Sequence, residues 1–217
     1  MEIKNKDFIE IEFSAKIKDG EVFDTTYKEE AKKMGVEENS VKPLIMAVGY
    51  EMVVPGLDKD LIGKEINKEY SVEIGFKEAF GKRDPTLIQM VSLNNFKEEN
   101  VMPQRGMQFS LDGRLARILS VSGGRVLVDF NNALAGKNVV YEYKIIRKVE
   151  DKKEQLDALQ EFFFRKNFDS EINEKEIKLR IDKEFSPLFD LMKGKFEEML
   201  GLKIVFEIIK KEDNKKA

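Results

Sequence analysis

The stretch IEIEFSAKIKDGEVFD, residues 9–24, decides how the fold begins. From Ile9 to Ile17, apolar residues alternate with charged or small polar ones, which is the pattern of a strand with one buried face. Asp19-Gly20 is a hairpin turn signal, so the residues up to Asp24 should run back as the partner strand. The sequence therefore predicts a β-hairpin over residues 9–24.

The composition of the 217-residue chain excludes several classes of protein. With 38 basic and 41 acidic side chains the formal net charge is −3, which argues against a basic nucleic-acid binder. Histidine and cysteine are both absent, so no imidazole base, no thiolate nucleophile and no zinc site of these ligands can form. No apolar run is long enough for a membrane span or a signal peptide. We expect a cytoplasmic protein that uses no metal or cofactor and binds neither nucleic acid nor membranes.

Charge and turn signals divide the chain into three regions. Between Asp84 and Val128 only nine of 45 residues are charged, and the turn signals Asp112-Gly113 and Gly123-Gly124 separate short apolar runs. This pattern predicts a small all-β unit inserted into a first domain. The charged run from Glu150 marks a boundary, after which a helix, a strand, a helix and a strand are predicted. The predicted domains are residues 1–83 with 130–149, residues 84–129, and residues 150–217.

Several short motifs follow one another along the first region in a fixed order. They are Asp19-Gly20-Glu21-Val22-Phe23-Asp24, Val53-Val54-Pro55-Gly56-Leu57, Ala79-Phe80-Gly81, Leu134-Ala135-Gly136-Lys137 and Val140-Tyr141-Glu142. Each motif is weak alone, but their order and spacing across residues 1–149 resemble the FKBP-type peptidyl-prolyl cis-trans isomerases, specifically the long archaeal, SlyD-like type with an insert-in-flap chaperone domain. The resemblance implies an α+β fold: an FKBP-like antiparallel half-barrel sheet with a short helix, an inserted small all-β domain and a C-terminal α/β unit.

The implied activity is faster rotation about X-Pro bonds in unfolded, partly folded or nascent polypeptides. This reaction needs no proton transfer and no nucleophile, because its barrier of ~18–20 kcal/mol comes from amide resonance. By resemblance, Asp24 orients or polarises the substrate, the backbone N–H of Val54 receives a substrate carbonyl, and Leu57 forms the floor of the proline pocket. The implied catalytic residues are Asp24, Phe13, Phe23, Val54, Leu57, Phe80 and Tyr141, and the implied substrate-binding residues are Leu44, Met46, Val53, Leu134 and Ala135.

Two alternatives stay open for this site. Apolar residues such as Phe13 and Leu57 are core packing more often than ligand contacts. The pocket is also compatible with a binding-only chaperone that has little isomerase activity.

The sequence departs from the family as well, since many members have tyrosines at the positions of Phe13 and Phe80 and often a tryptophan at that of Leu57. Fewer polar donors predict an isomerase of modest efficiency on short peptides.

The insert and the C-terminal region each carry apolar residues with two possible uses. In the insert we expect an apolar groove for client chains, the alternative being the core of the insert itself. In the C-terminal region, the stripe from Leu188 to Met199 and the run Phe162-Phe163-Phe164 are covered either by a second copy, giving a homodimer, or by the protein's own first domain. The predicted groove residues are Leu87, Ile88, Met90, Val91, Leu93, Phe96, Val101, Met102, Met107 and Phe109.

Overall fold

The structure, a computed structural model, describes residues 2–111 and 114–209. Its contacts divide the chain into two compact units. The first unit contains the residues up to Ala15, residues 24–72 and those from Tyr141 onward, whereas the second contains residues 16–23 and 73–140. The predicted turn at Asp112-Gly113 lies outside the described residues.

The first part of the chain alternates short strands with short helices. The predicted hairpin is confirmed, since the N–H of Gly20 donates to the carbonyl of Ile17 at 2.8 Å between the two expected strands. Asp19 has a positive φ of 58° in this turn, a conformation that its short polar side chain tolerates. The elements are β1 (Phe8–Ile17), β2 (Val22–Thr25), α1 (Lys28–Lys33), β3 (Leu44–Ala47), α2 (Pro55–Asp60) and β4 (Glu69–Ile74).

The inserted segment forms its own sheet with one short helix. Its elements are β5 (Ile88–Ser92), α3 (Leu93–Glu98), β6 (Gln108–Leu111), β7 (Arg114–Ser122) and β8 (Arg125–Asp129). The strand order is β5-β8-β7-β6, and Phe96 of α3 packs on one face against Ile118, Val126 and Val128. The predicted strands correspond to β6, β7 and β8. Strand β5 and helix α3 were not predicted from the sequence. Helix α3 begins where the Ser92 hydroxyl accepts a hydrogen bond from the N–H of Asn94.

The last part of the chain follows the predicted order with one addition. Its elements are β9 (Val139–Lys148), α4 (Lys152–Phe164), β10 (Asp169–Ile172), β11 (Glu176–Asp182), α5 (Ser186–Leu200) and β12 (Lys203–Ile209). The strand β10 is the addition, and it extends a small sheet of order β10-β11-β12. Strands β11 and β12 run parallel because α5 crosses between them. Gly201, at a φ of 69°, ends α5 as predicted.

The largest of the described sheets has five strands. Its strand order is β2-β1-β9-β4, and β3 pairs with β1 in antiparallel register. Within the first unit, α4 packs against β3, and Nε2 of Gln155 in α4 donates to the carbonyl of Val149 at 2.7 Å. The sheets with few helices confirm the predicted α+β fold.

Candidate functional site

The backbone of Phe13 in β1 is fixed by a threonine that follows Asp24. The N–H of Phe13 donates to Oγ1 of Thr26 at 2.8 Å, and the N–H of Thr26 donates back to the carbonyl of Phe13 at 2.9 Å. Both residues are buried, so neither bond competes with water. This pair of bonds ties the middle of β1 to the segment that carries Asp24.

Phe13 and Tyr141 form a buried aromatic pair. Their ring centroids are 5.7 Å apart and the planes are tilted by 48°, a separation at which aromatic rings attract one another. Burial, and to a smaller extent the negative charge of Asp24, raise the pKa of Tyr141 far above its ordinary value. Tyr141 is therefore a neutral phenol at physiological pH and keeps its proton for hydrogen bonding.

Asp24 interacts electrostatically with Tyr141 of this aromatic pair. The residue as a whole is exposed, but neighbouring protein atoms remove part of the hydration of its carboxylate. This desolvation raises the pKa of Asp24 above its ordinary value, and a hydrogen bond from the backbone of Thr25 offsets part of the rise. The charge of Asp24 acts on the pKa of Tyr141, so the two groups are close enough to interact electrostatically. The first unit thus groups Asp24, Phe13 and Tyr141.

A buried carboxylate holds the loop before α2, which carries Val53 and Val54. Oδ1 of Asp58 accepts a hydrogen bond from the N–H of Gly49, and Oδ2 accepts one from the N–H of Glu51, both at 2.8 Å. Asp58 is only 3% exposed, and these donors supply the partners that a buried charge requires. The loop is therefore anchored to the helix that follows it.

Val54 is the last residue before α2. Its backbone is extended, with φ −57° and ψ 141°, and its carbonyl accepts from the N–H groups of Leu57 and Asp58. Its own N–H lies outside the hydrogen-bond pattern of the helix, as at every helix start. Leu57 is fully buried, whereas Val53 and Val54 are half-buried. One turn of chain thus places a main-chain donor beside apolar side chains.

Leu44 and Met46 lie on β3. In the register with β1, Leu44 is opposite Ile11 and Met46 is opposite Ile9. Residues two apart on a strand share a face, so these two side chains point the same way. Met46 is fully buried and Leu44 is half-buried. Both predicted binding residues therefore belong to the first unit, with Met46 inside its core.

The remaining predicted site residues lie in the second unit. Phe23 and Phe80 form an edge-to-face pair with ring centroids 5.6 Å apart and planes at 82°. Gly81, directly after Phe80, has a φ of 77°. Its carbonyl accepts a hydrogen bond from the N–H of Gly136 at 2.8 Å. Leu134 and Ala135 are half-buried in the loop before Gly136. The Ala-Phe-Gly motif and the Leu-Ala-Gly motif are therefore joined by a main-chain hydrogen bond.

The predicted groove residues of the insert differ widely in exposure. Phe96 is buried in the insert core, and Leu87 and Ile88 are half-buried. Met90 is 62% exposed and Met102 is 82% exposed. The client groove stays a prediction, with these two methionines as its most accessible members. The residues that are partly buried against the core are Val91, Leu93, Val101, Met107 and Phe109.

Sequence reasoning did not find Asp58 or Thr26. An acid in the first turn of a helix is a common sequence feature, and it gives no sign of which N–H groups the carboxylate meets. Thr26 likewise looks like an ordinary residue near a helix start. Only the folded chain shows that these two side chains fix the loop before α2 and the backbone of Phe13.

Comparison with known proteins identifies the class. Residues 1–97 match the family described as FKBP-type peptidyl-prolyl cis-trans isomerase, and residues 89–134 match the family described as FKBP26, IF domain. A short-type peptidyl-prolyl cis-trans isomerase of Methanocaldococcus jannaschii is 32% identical over 145 residues, which cover 66% of this chain and 92% of the relative. The chain belongs to the family of FKBP-type peptidyl-prolyl cis-trans isomerases.

Further relatives place it more closely within that family. A protein of Treponema pallidum named FKBP-type peptidyl-prolyl cis-trans isomerase SlyD is 30% identical over 163 residues, covering 73% of this chain and 85% of the relative. A SlyD of Escherichia coli is 29% identical over 126 residues, covering 56% of this chain and 64% of the relative. The chain is SlyD-like, and the resemblance seen in its motifs is confirmed.

Among residues 2–111 and 114–209, no group of three or more acidic side chains is arranged to hold a metal ion. In the same ranges, no helix is both long enough and apolar enough to cross a membrane.

Proposed function

We propose that this chain is a peptidyl-prolyl cis-trans isomerase that acts on X-Pro bonds of unfolded or nascent polypeptides. Membership of the FKBP-type family supports the activity. The observation that carries the proposal is the grouping of Asp24 with the aromatic pair of Phe13 and Tyr141. Apolar rings beside one partly desolvated carboxylate suit a proline ring attached to a twisting amide.

The chemistry follows from the electronic structure of the amide. The planar amide is stabilised by resonance that separates charge, whereas the twisted transition state has lost that resonance. A dry apolar surface stabilises the planar form less than water does, so transfer onto it favours the twisted form relative to the planar one. Directed hydrogen bonds then add stabilisation that is specific to the twisted geometry.

Four residues of the first unit have defined roles in this proposal. The N–H of Val54 receives a substrate carbonyl, Leu57 forms the pocket floor, and Asp24 orients the substrate rather than removing a proton. Tyr141 supplies a neutral hydroxyl donor close to Asp24, which compensates in part for the phenylalanine at position 13. Residues of the same unit that complete the proposed pocket are Leu44, Met46 and Val53. The roles that the family resemblance implies for Phe23, Phe80, Leu134 and Ala135 stay predictions.

Kinetics on a proline-containing tetrapeptide test these roles. We expect Asp24→Ala to lower kcat/KM by about one to two decades, because one interaction with a charged group is worth ~1.5–3 kcal/mol. Asp19→Asn, which removes a charge from the turn of the same hairpin, should leave kcat/KM unchanged. Equal rates for wild type and Asp24→Ala would contradict the role given to the carboxylate.

The insert is proposed to add holdase activity. In this proposal residues 1–83 and 130–149 form the isomerase domain, residues 84–129 hold client chains, and residues 150–217 form the C-terminal domain. The match of residues 89–134 to the IF domain and the exposed side chain of Met90 support it. Suppression of aggregation by the full chain tests the idea, with Met90→Asp and Met102→Asp as weakened variants. A chain that binds clients without accelerating X-Pro rotation would instead be a binding-only chaperone.

A homodimer through the C-terminal domain is proposed as the state in solution. Leu191 on α5 is 78% exposed and Leu188 is 40% exposed, whereas Phe196 and Met199 of the same stripe are buried within this chain. The second copy would cover the exposed leucines. Light scattering on wild type and Leu191→Glu tests this, since a monomer mass for both would contradict it. The cytoplasmic location stays a prediction.

A further inference from the structure

The sheet of the insert has one covered face and one open face. Val126 and Val128 on β8 and Ala116 and Ile118 on β7 are buried in the core beneath α3. Side chains alternate between the faces of a strand, so the residues between and beside these point away from the core. The open face is defined here by Met90, Leu115, Arg117, Arg125 and Leu127.

The apolar residues of the open face are accessible to a partner. Met90 is opposite Leu127 in the register of β5 and β8, so their side chains are neighbours. Met90 is 62% exposed and Leu115 is 64% exposed, far more than a sheet residue in a packed core. Both lie on a single face, and together with Leu127 they supply apolar contact area.

Two arginines give this face a positive charge. Nη1 of Arg125 lies 3.7 Å from Sδ of Met90, so the guanidinium borders the apolar surface. The carboxylate of Asp129, which faces Arg117 across the strands, is held instead by the guanidinium of Arg83 and the side chain of Asn131. Among the described residues, the ion pairs of the insert involve neither Arg117 nor Arg125.

The geometry points to a client class: we propose that the open face binds extended, unfolded segments in which carboxylates flank an apolar residue. Arg117 lies opposite Asp129, which is four residues from Arg125 on β8, so the two arginines are roughly 14 Å apart. An extended client presents residues i, i+2 and i+4 on one side and spans the same distance. Two acidic residues four positions apart therefore meet Arg117 and Arg125 while the residue midway contacts Met90 and Leu127. This inference rests on the proposed holdase role of the insert.

Fluorescence anisotropy with the full chain tests the inference. The probes are two labelled, proline-free peptides of the same length, one with two aspartates four positions apart around a leucine and one with lysines in their place. We expect wild type to bind the aspartate peptide more tightly. The double variant Arg117→Glu/Arg125→Glu should weaken this binding roughly tenfold, since two attractive contacts become repulsive, and the loss should shrink at high salt.

Matched variants and separate assays keep the outcomes distinct. Lys97→Glu/Arg105→Glu makes the same change in charge on α3 and in the loop before β6, and it should alter affinity by less than about twofold. Equal binding of the two peptides, no binding of either, or the same loss in both double variants would overturn the inference. Turnover of a proline tetrapeptide and suppression of aggregation report separately on the proposed isomerase and holdase functions, and the arginine variants should leave turnover unchanged.

Discussion

Replacing Asp58 by asparagine is expected both to destabilise the protein and to displace the loop before α2. The buried carboxylate accepts from the N–H groups of Gly49 and Glu51, both at 2.8 Å. Asparagine keeps one acceptor oxygen but places an NH2 group against the other N–H. One charge-assisted bond is then lost and the other is weakened, and an NH2 group is placed against a backbone donor beside a buried side chain, which together cost about 3 kcal/mol of unfolding free energy.

The effect on catalysis follows from the position of the loop. Glu51 is three residues before Val54, whose N–H is proposed to receive the substrate carbonyl. A small displacement of such a donor lowers the rate steeply, so we expect Asp58→Asn to reduce kcat/KM about tenfold even where the variant is fully folded. Urea unfolding followed by circular dichroism measures the stability, and a proline tetrapeptide assay measures the rate.

A second aspartate on the same helix provides the control. Asp60 is half-buried and accepts from the hydroxyl of Tyr143 at 2.6 Å. Its ion pair with Lys64 is partly exposed and contributes little. Asp60→Asn retains an acceptor for Tyr143, so it should cost less than about 1 kcal/mol. If Asp58→Asn proves as stable as Asp60→Asn, or as active as wild type, the reasoning about Asp58 is refuted.

Three further predictions concern the residues around the site. The pKa of Asp24 is raised in the folded chain, so ionisation of its carboxyl group opposes folding. Asp24→Asn should therefore raise the unfolding free energy at pH 7, and this gain should vanish as the pH falls through 3.8. A gain that persists in acid would contradict this. Gly49→Ala should cost no more than about 1 kcal/mol beyond Gly63→Ala in urea unfolding. Both glycines have φ above 80°, and the Cβ at Gly49 would lie 1.7 Å from Oδ1 of Asn5, the end of an exposed side chain that can move away; a much larger difference would contradict this. Thr26→Val should cost about 2 kcal/mol by the same measurement, since it leaves a buried N–H of β1 without its acceptor, and an unchanged midpoint would argue against that bond.

Much of the fold could be predicted because its signals are local. The alternation from Ile9 to Ile17 and the turn at Asp19-Gly20 determine a hairpin without help from the rest of the chain. The helix α3 could not be predicted, because Asn94 and Asn95 have low helix propensity. What forms it is the cap from Ser92 and the burial of its single phenylalanine, which depends on the sheet beneath.

The candidate site was predicted from motif order rather than from physical pattern. Phe13 and Leu57 follow the same sequence patterns as ordinary core residues, so their assignment to the pocket came from resemblance alone. The electrostatic link between Asp24 and Tyr141 joins residues more than a hundred positions apart, and it follows from the fold. The same is true of Asp58, whose two donors are fixed by the path of the loop.

The rate of cis-trans exchange in a proline tetrapeptide, measured by NMR with catalytic amounts of the full chain, tests the central claim most directly. Uncatalysed exchange takes tens of seconds or longer at 25 °C. The account predicts exchange that accelerates in proportion to the concentration of wild type and much less with Asp24→Ala. Exchange at the uncatalysed rate, with the peptide bound to the folded chain, would contradict it and leave a binding protein.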